Sequence, residues 1–274
     1  RLGVGLYLVR TVGTRIDADG AMRARDGVAR LVRLLSAVVP DSAASFAAGP
    51  SMVVDAALVD GGDVVPAGWS GLCAAPSSLG EGIIHAPAAA PSAGCTAGAC
   101  IAGGPATAPD TSLSVARLGQ LGPLSLSDLV QGADHAVAGT ALTVAAALSG
   151  GGCDRTDSLN WGDPAAPSAA CGGYFPVIVA APGTRLAGGH GQGILVGLGA
   201  LELSNDFEFD GVLLASGPLV LRDQSRVLGV ILAADTLRVE GTAQLLRSTC
   251  AVRRSAAGGA RPFRAVERGW FRWD

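Results

Sequence analysis

Gly193-Ile-Leu-Val196, Gly211-Val-Leu-Leu214 and Gly229-Val-Ile-Leu232 open three segments that superimpose without a gap, eighteen residues apart. Eight residues after each glycine come Leu201-Glu-Leu203, Leu219-Val-Leu221 and Leu237-Arg-Val239, followed by Phe207-Glu-Phe209, Ser225-Arg-Val227 and Ala243-Gln-Leu245. Three short strands per eighteen residues, repeated, is the signature of a parallel β-solenoid. At about 3.3 Å per residue such a coil has a perimeter of at most roughly 59 Å, a narrow tube filled by its own side chains. The expected fold class is therefore mainly β: a short parallel β-solenoid of about 18 residues per coil, with an N-terminal strand and an amphipathic helix packed on one face.

The alternation along each strand assigns inside and outside. On the second face Leu201/Leu203, Leu219/Leu221 and Leu237/Val239 point in, and Glu202, Val220 and Arg238 point out. On the third, Phe207/Phe209, Ser225/Val227 and Ala243/Leu245 point in, and Glu208, Arg226 and Gln244 point out. Both patterns fit a sheet wetted on one side. The first face, opened by the glycines, is apolar on both sides. With Leu195, Leu213 and Ile231 taken as its outward ladder, the wall is an apolar patch that needs a cover. Those three residues are accordingly interface candidates. The cover expected within the chain is the helix 21–39, with an external partner as the alternative.

Working outward from the repeat, residues 4–12 alternate as a strand, Asp17 to Gly20 break the pattern, and 21–39 reads as a helix. Its stripe is Val28, Leu31, Val32, Leu34, Leu35 and Val38, and Pro40 ends it. Residues 51–65 return to strand pattern as a first, irregular coil. From Gly68 to Ser112 the chain is rich in Pro, Gly, Ala and Ser and reads as a long loop or insertion. Leu124 to Val137 reads as a short helix capped by Ser125 or Ser127, and Leu142 to Leu148 as a strand. Residues 153–171 form a second loop that holds Asn160-Trp-Gly-Asp-Pro164. The implied regions are 1–48 (strand and helix), 49–172 (irregular β and loop with cysteine-stapled insertions), 173–252 (solenoid coils) and 253–274 (a tail that folds back).

Composition narrows the function classes. The chain has 274 residues, a formal net charge of −3, 16% charged residues and no lysine, so it lacks the basic footprint of a nucleic-acid binder. Forty glycines with 4% aromatics suit a turn-rich β-protein. Six cysteines without a CxxC pair argue against zinc and for disulfides in an oxidising compartment. Six cysteines allow fifteen pairings and spacing does not choose among them. The pairing adopted as the expectation is Cys153–Cys171, Cys95–Cys100 and Cys73–Cys250.

No catalytic constellation emerges. His85, His135 and His190 lie in separate segments without HExxH spacing. Gly68-Trp-Ser-Gly71 lacks the strand–turn–helix context of a hydrolase elbow. Gly189-His-Gly-Gln-Gly193 runs into a strand rather than a helix N-terminus that would hold a phosphate. The strict six-residue repeat of hexapeptide acyltransferases is absent. Glu202 and Glu208 face outward, but one coil later the equivalents are Val220 and Arg226, so no carboxylates stack as in solenoid polysaccharide hydrolases. Asp206, Asp210, Asp223 and Asp235 read as turn residues. No catalytic, metal or cofactor residue is expected. Trp161, Trp270 and Trp273 are the candidate exposed aromatics, and as partner anchors they would be typical interface residues.

Gln192-Gly-Ile-Leu-Val196 followed by Phe207-Glu-Phe-Asp-Gly-Val212, within a glycine–apolar triplet–Leu-x-Leu–short strand pattern over residues 175–250, resembles the PilX-type, pilus-assembly-associated proteins of type IV pilus systems. It is also similar to polymer-forming bactofilin-like coils. The resemblance implies a pilin-like N-terminal region, a non-catalytic structural role in the bacterial cell envelope or periplasm, and partners among envelope or membrane-complex proteins. Because Arg1-Leu-Gly-Val-Gly-Leu opens as if within a strand, a preceding segment with a membrane helix is expected, membrane association coming through it or through a partner subunit. The alternatives are an accessory subunit stabilising a large inner-membrane complex on its periplasmic side, and a solenoid carbohydrate-active enzyme.

Overall fold

The structure is a computed structural model that describes residues 6–34, 36–73, 79–94, 100–258 and 263–273, with the side chains of 6–7, 23–26, 30–34, 93 and 263–273 outside that description. The chain divides into two compact units, one formed by 1–36 with 261–274 and the other by 37–260. The boundaries suggested by the sequence at 48/49, 172/173 and 252/253 all fall within residues 37–260. The terminal segments belong together because their strands pair.

The smaller unit is a three-stranded antiparallel sheet, with Met22–Leu34 between Leu6–Ile16 and Phe263–Trp273. The helix expected over 21–39 is therefore a strand through Leu34. Two non-local facts override its helical apolar spacing. The Asp17–Gly20 turn closes a hairpin, with the Asp17 amide donating to Ala21 O and that of Gly20 to Asp17 O. The C-terminal tail then supplies a second strand, in register at Ala29–Phe271 and Arg30–Trp270. The pattern of 21–39 does not itself show that it is paired on both sides, and that pairing outweighs weak propensity. Residues 1–5 of the expected N-terminal strand lie outside the described residues.

The larger unit is the solenoid, and its three faces are continuous parallel ladders. The first face stacks, in spatial order, His135–Val137, Val177–Ala180, residues 194–197, 212–215 and 230–233, Ala43–Ala47, Glu81–His85 and Thr107–Pro109. The second face stacks Leu142–Val144, 184–187, Leu201–Ser204, Leu219–Leu221, Leu237–Glu240, Met52–Asp55 and Pro91–Ala93. The third runs from 190–192 through 208–210 and 226–229 to Gln244–Arg247, Leu58–Asp60 and Ile101–Ala102.

The order in space is not the order in sequence. The coil 43–60 lies directly on the coil 230–247, with Ile231 opposite Ser45, Arg238 opposite Val53 and Leu245 opposite Val59. The chain enters in the middle of the stack and winds to one end at Pro109. It then crosses back through α1 (Val115–Leu118) and α2 (Leu126–Gln131), and winds from His135 towards its starting point. The irregular first coil expected at 51–65 is present. The long loop expected at 68–112 instead contains most of another coil, in strands of two to five residues. The capping serine is Ser125, whose hydroxyl accepts from the Asp128 amide while the Asp128 carboxylate accepts from the Ser125 amide.

The repeating glycines have a steric cause. Gly193, Gly211 and Gly229 are in direct register and carry φ of +118°, +151° and +152° at the bend between the third and first faces. A Cβ on Gly211 would lie 2.1 Å from Gly193 O, and one on Gly229 would lie 1.8 Å from Gly211 O. Only a residue without a side chain lets successive coils close up there.

One hydrophobic cluster runs through the coils, from Val137 and Val144 past Leu203, Leu221 and Val239 to Val54, Val59 and Ile83. It includes Leu195, Leu213 and Ile231, all fully buried. The inside–outside assignment of the first face is thus the reverse of the expected one, and these three residues are coil interior rather than interface. The alternation in fact runs unbroken through each glycine, Phe207, Phe209, Leu213 and Ala215 all lying in the cluster, so treating the glycine as a fresh start of the face inverted the assignment. The outward row is Ile194, Val212 and Val230, also fully buried. Its cover is α3 (Thr249–Gly258), which packs on all three of these long strands and buries Cys250, Ala251, Val252 and Ser255. The wall does need a companion, and the chain supplies one from the residues right after its last coil.

Candidate functional site

α3 is fastened at several points. Asp63 accepts from the Thr249 amide at 2.8 Å and from its hydroxyl at 2.7 Å, an N-cap supplied from a distant coil. Cys250 is bonded to Cys73 with their Cα atoms 5.7 Å apart. The Arg254 guanidinium lies over both Trp69 and Phe175, 5.2 Å from each centroid, and those two rings meet edge to face at 5.8 Å. Trp69 Nε1 donates to Pro164 O at 2.8 Å, tying the 66–73 segment to the excursion 163–176. The second expected disulfide, Cys153–Cys171, is also present, with Cα atoms 4.8 Å apart. In the third expected pair Cys95 lies outside the described residues.

Trp161 is not an exposed anchor. It is fully buried in the coil cluster, edge-on to Phe207 and Phe209 at 6.1 and 6.4 Å, with Nε1 donating to Ser158 O. The Gln192 amide donates to Trp161 O, so this loop residue occupies a third-face position one coil beyond Gly191. A Cβ on Gly191 would lie 3.0 Å from the indole: the large residue fills the space its small neighbour leaves. Trp270 and Trp273 lie in the terminal strand Phe263–Trp273, and their side chains are outside the described part.

The outer surface of the third face carries a polar cluster. His190, Glu208, Arg226 and Gln244 occupy one row, and Gln192, Asp210 and Leu228 the next. His190 Nε2 is 3.5 Å from Asp210 Oδ2 and 3.6 Å from Glu208 Oε2. Arg226 pairs with Glu208 at 2.7 Å. Asp210 is 2% exposed, and burial pushes its carboxyl above the usual carboxylate range, against the opposing pull of His190 and Arg226. It belongs to a strand rather than to the turn its sequence context suggested. Asp206 and Asp223 do sit in turns, with φ of +60° and +53°. The period of eighteen already places Asp210 beside Gln192. What the sequence does not show is that α3 and the 163–176 excursion bury that row.

A second polar ladder crosses the second face. Glu202 is ion-paired with Arg185 at 3.0 Å and accepts from Arg222 at 2.8 Å, while Arg238 pairs with Glu240 on its own strand. As expected, Val220 follows Glu202 and Arg226 follows Glu208 in the ladders. His135 is buried, and its Nε2 meets the Tyr174 hydroxyl at 2.9 Å; burial, aided by the Asp134 charge, pushes Tyr174 up to about 12. His85 is likewise buried and donates from Nδ1 to Ala86 O at 2.9 Å.

A cavity of about 430 Å³ lies where the crossing segment passes over the coils, lined mainly by Val38, Phe46, Leu113, Leu118 and Leu232. Its charged residues are Asp110 and Arg117, and both are hydrogen-bonded to Ser112. Among the described residues no group of three His, Cys, Asp or Glu could hold a metal ion, and no helix is long and apolar enough to cross a membrane.

Chemically, the surface charges of the ladders are paired, and among the described residues the carboxyl that burial raises, Asp210, is sealed from solvent. An acid on a glycan must reach the leaving oxygen, and a buried Asp210 does not. No family model, no curated protein and no solved structure matches this chain.

Proposed function

We propose that this chain is a non-catalytic scaffold of the bacterial cell envelope, a PilX-like, type IV pilus-associated component that works through the surface of a rigid stack. The supporting observation is the uninterrupted hydrophobic column through all coils, closed sideways by α3 and by two disulfides. Such a column stiffens a rod of fixed face spacing and leaves no cleft across its core for a reaction. Disulfides on the excursions fit an oxidising compartment such as the periplasm. The buried position of Asp210 weighs against the carbohydrate-active alternative.

The test is photo-cross-linking in intact cells from outward second-face positions such as Val53 and Val220, with the adducts identified by mass spectrometry. Adducts to pilus or other envelope-complex subunits are expected. Adducts confined to cytoplasmic proteins, or turnover of any member of a glycan panel by the purified protein, would overturn the reading.

A further inference from the structure

Gln192 is fully buried, and its amide orientation is dictated by three carbonyls. Nε2 donates to Tyr174 O at 2.7 Å and to Gly172 O at 3.1 Å, with Cys171 O at 3.5 Å. A flipped amide would set an oxygen against those carbonyl oxygens, so Oε1 must point the other way. There it has no hydrogen-bond partner among the described residues. The residue directly opposite in the ladder is Asp210, whose Oδ1 is also buried and also without a partner. Two buried orphan acceptors on cross-strand neighbours each cost their desolvation, and a single proton shared between them would satisfy both. With no metal-binding group of side chains there among the described residues, a proton is the simplest occupant.

We propose that Asp210 keeps its proton after the surface carboxylates have lost theirs and donates it to Gln192 Oε1, forming a relay from the coil through Gln192 Nε2 to the backbone of the disulfide-stapled excursion. Loss of that proton turns the contact into carboxylate against carbonyl and loosens the grip of Gln192 on residues 171–174. The patch is thus a pH-dependent latch that is closed on the acidic side.

The surrounding charges are compatible with this order of titration. On its own strand Asp210 has Glu208, which is half-exposed and paired with Arg226 at 2.7 Å. From the strand on one side comes His190, in contact with both carboxylates, and from the strand on the other side Arg226 itself. From α3, Arg253 is committed to Asp41 at 3.2 Å and Arg254 to the Trp69 and Phe175 rings. From the excursion, Asp163 accepts from the Ala166 amide. His190 and Arg226 favour the ionised form of Asp210, and burial, the larger effect, opposes them.

Carbon-13 NMR of the Asp210 carboxyl in the full chain tests the first step. It is expected to stay protonated at pH values where the exposed Asp110 and Asp154, whose serine and threonine hydrogen bonds hold them low, have ionised, and titration together with them would overturn the proposal. Amide hydrogen exchange tests the second step. After correction for the intrinsic pH dependence of exchange, protection of the Tyr174 and Asp163 amides, both of which donate to Cys171 O, should fall about tenfold as Asp210 ionises. It should stay flat in Asp210→Asn, whose amide donates to Gln192 Oε1 at every pH. Equal pH dependence in both proteins, or none in either, contradicts the latch. If the variant does not fold, the carboxyl titration of the natural chain decides alone.

Discussion

The coils at 194–233 and those at 43–109 share one core, yet they are built differently. In the first group each first-face strand brings an apolar triplet after a glycine and pairs with near copies of itself. In the second, strands such as Pro91–Ala93 and Ile101–Ala102 are two or three residues long, rich in alanine and proline, and alternate little. They hold their places because Met52–Asp55 and Leu58–Asp60, themselves laid on the regular coils, present ready ladders. A solenoid with strong nearest-neighbour coupling can carry weak repeats on strong ones.

The sharpest way to break this contrast is at the glycine ladder. Gly211→Ala puts a Cβ 2.1 Å from Gly193 O at a left-handed φ, so loss of more than about 4 kcal/mol, or failure to fold, is expected by denaturant titration. The same substitution at Gly150, which has open space around it, should cost about 1–2 kcal/mol from its φ of +59° alone.

Next in size are the covalent ties. Cys73–Cys250 spans 177 residues and Cys153–Cys171 only 18. In the chain-entropy account these contribute roughly 5 and roughly 3 kcal/mol. Cys73→Ser/Cys250→Ser should therefore lower the melting temperature more than Cys153→Ser/Cys171→Ser. It should also raise binding of a hydrophobic dye, because α3 covers the Ile194, Val212 and Val230 row. Equal effects with no dye binding would show that α3 stays seated without its disulfide.

Interior truncations come third. Leu213→Ala should cost about 2–5 kcal/mol, while Val53→Ala, half-exposed on the borrowed coil, should cost less than about 1 kcal/mol. A reversed order would make the N-terminal coils the stronger partner.

The smallest expected effect is pH-linked. Because burial raises the pKa of Asp210 in the folded protein, the native state binds that proton more tightly than the unfolded chain. Its contribution to stability is fully present below the unfolded carboxylate pKa of about 3.9, and is lost as pH rises to the raised folded value. Asp210→Asn should flatten that decline and be relatively more stable at the alkaline end. A steeper decline in the variant would mean that Asp210 folds as a paired carboxylate.

What the sequence made legible follows the same division. The eighteen-residue period located the coils from 177 to 247 and the in-register charges Glu208 and Arg226; the local pattern narrowed the helix cap to Ser125 or Ser127, and two of the adopted disulfide pairs are present although spacing did not select them. Information carried by a distant partner was not legible. The strand at Met22–Leu34 depends on Phe263–Trp273, and the coil 81–109 depends on ladders offered by 43–60. The inward side of Leu213 and Ile231 was legible in the alternation that continues from Phe209 and Val227 through the glycines, whereas a period alone fixes which residues are equivalent without saying which side they face. Asp210 looked like a turn residue because aspartate before glycine usually is one, and only the cover supplied by α3 and the excursion shows it to be sealed.

The account depends most directly on the junction at which coil 43–60 lies on coil 230–247, and oxidative cross-linking of paired cysteines measures it. Val53→Cys with Arg238→Cys places two thiols on adjacent, in-register strands, within the Cα separation of about 4.4–6.8 Å that a disulfide needs. Val53→Cys with Val220→Cys places them two strands apart, about 9–10 Å, beyond that reach. Rapid formation of the 53–238 bond and none of the 53–220 bond is the predicted result. Failure of the first, or equal formation of both, would contradict a stack in which the chain closes back upon its own beginning.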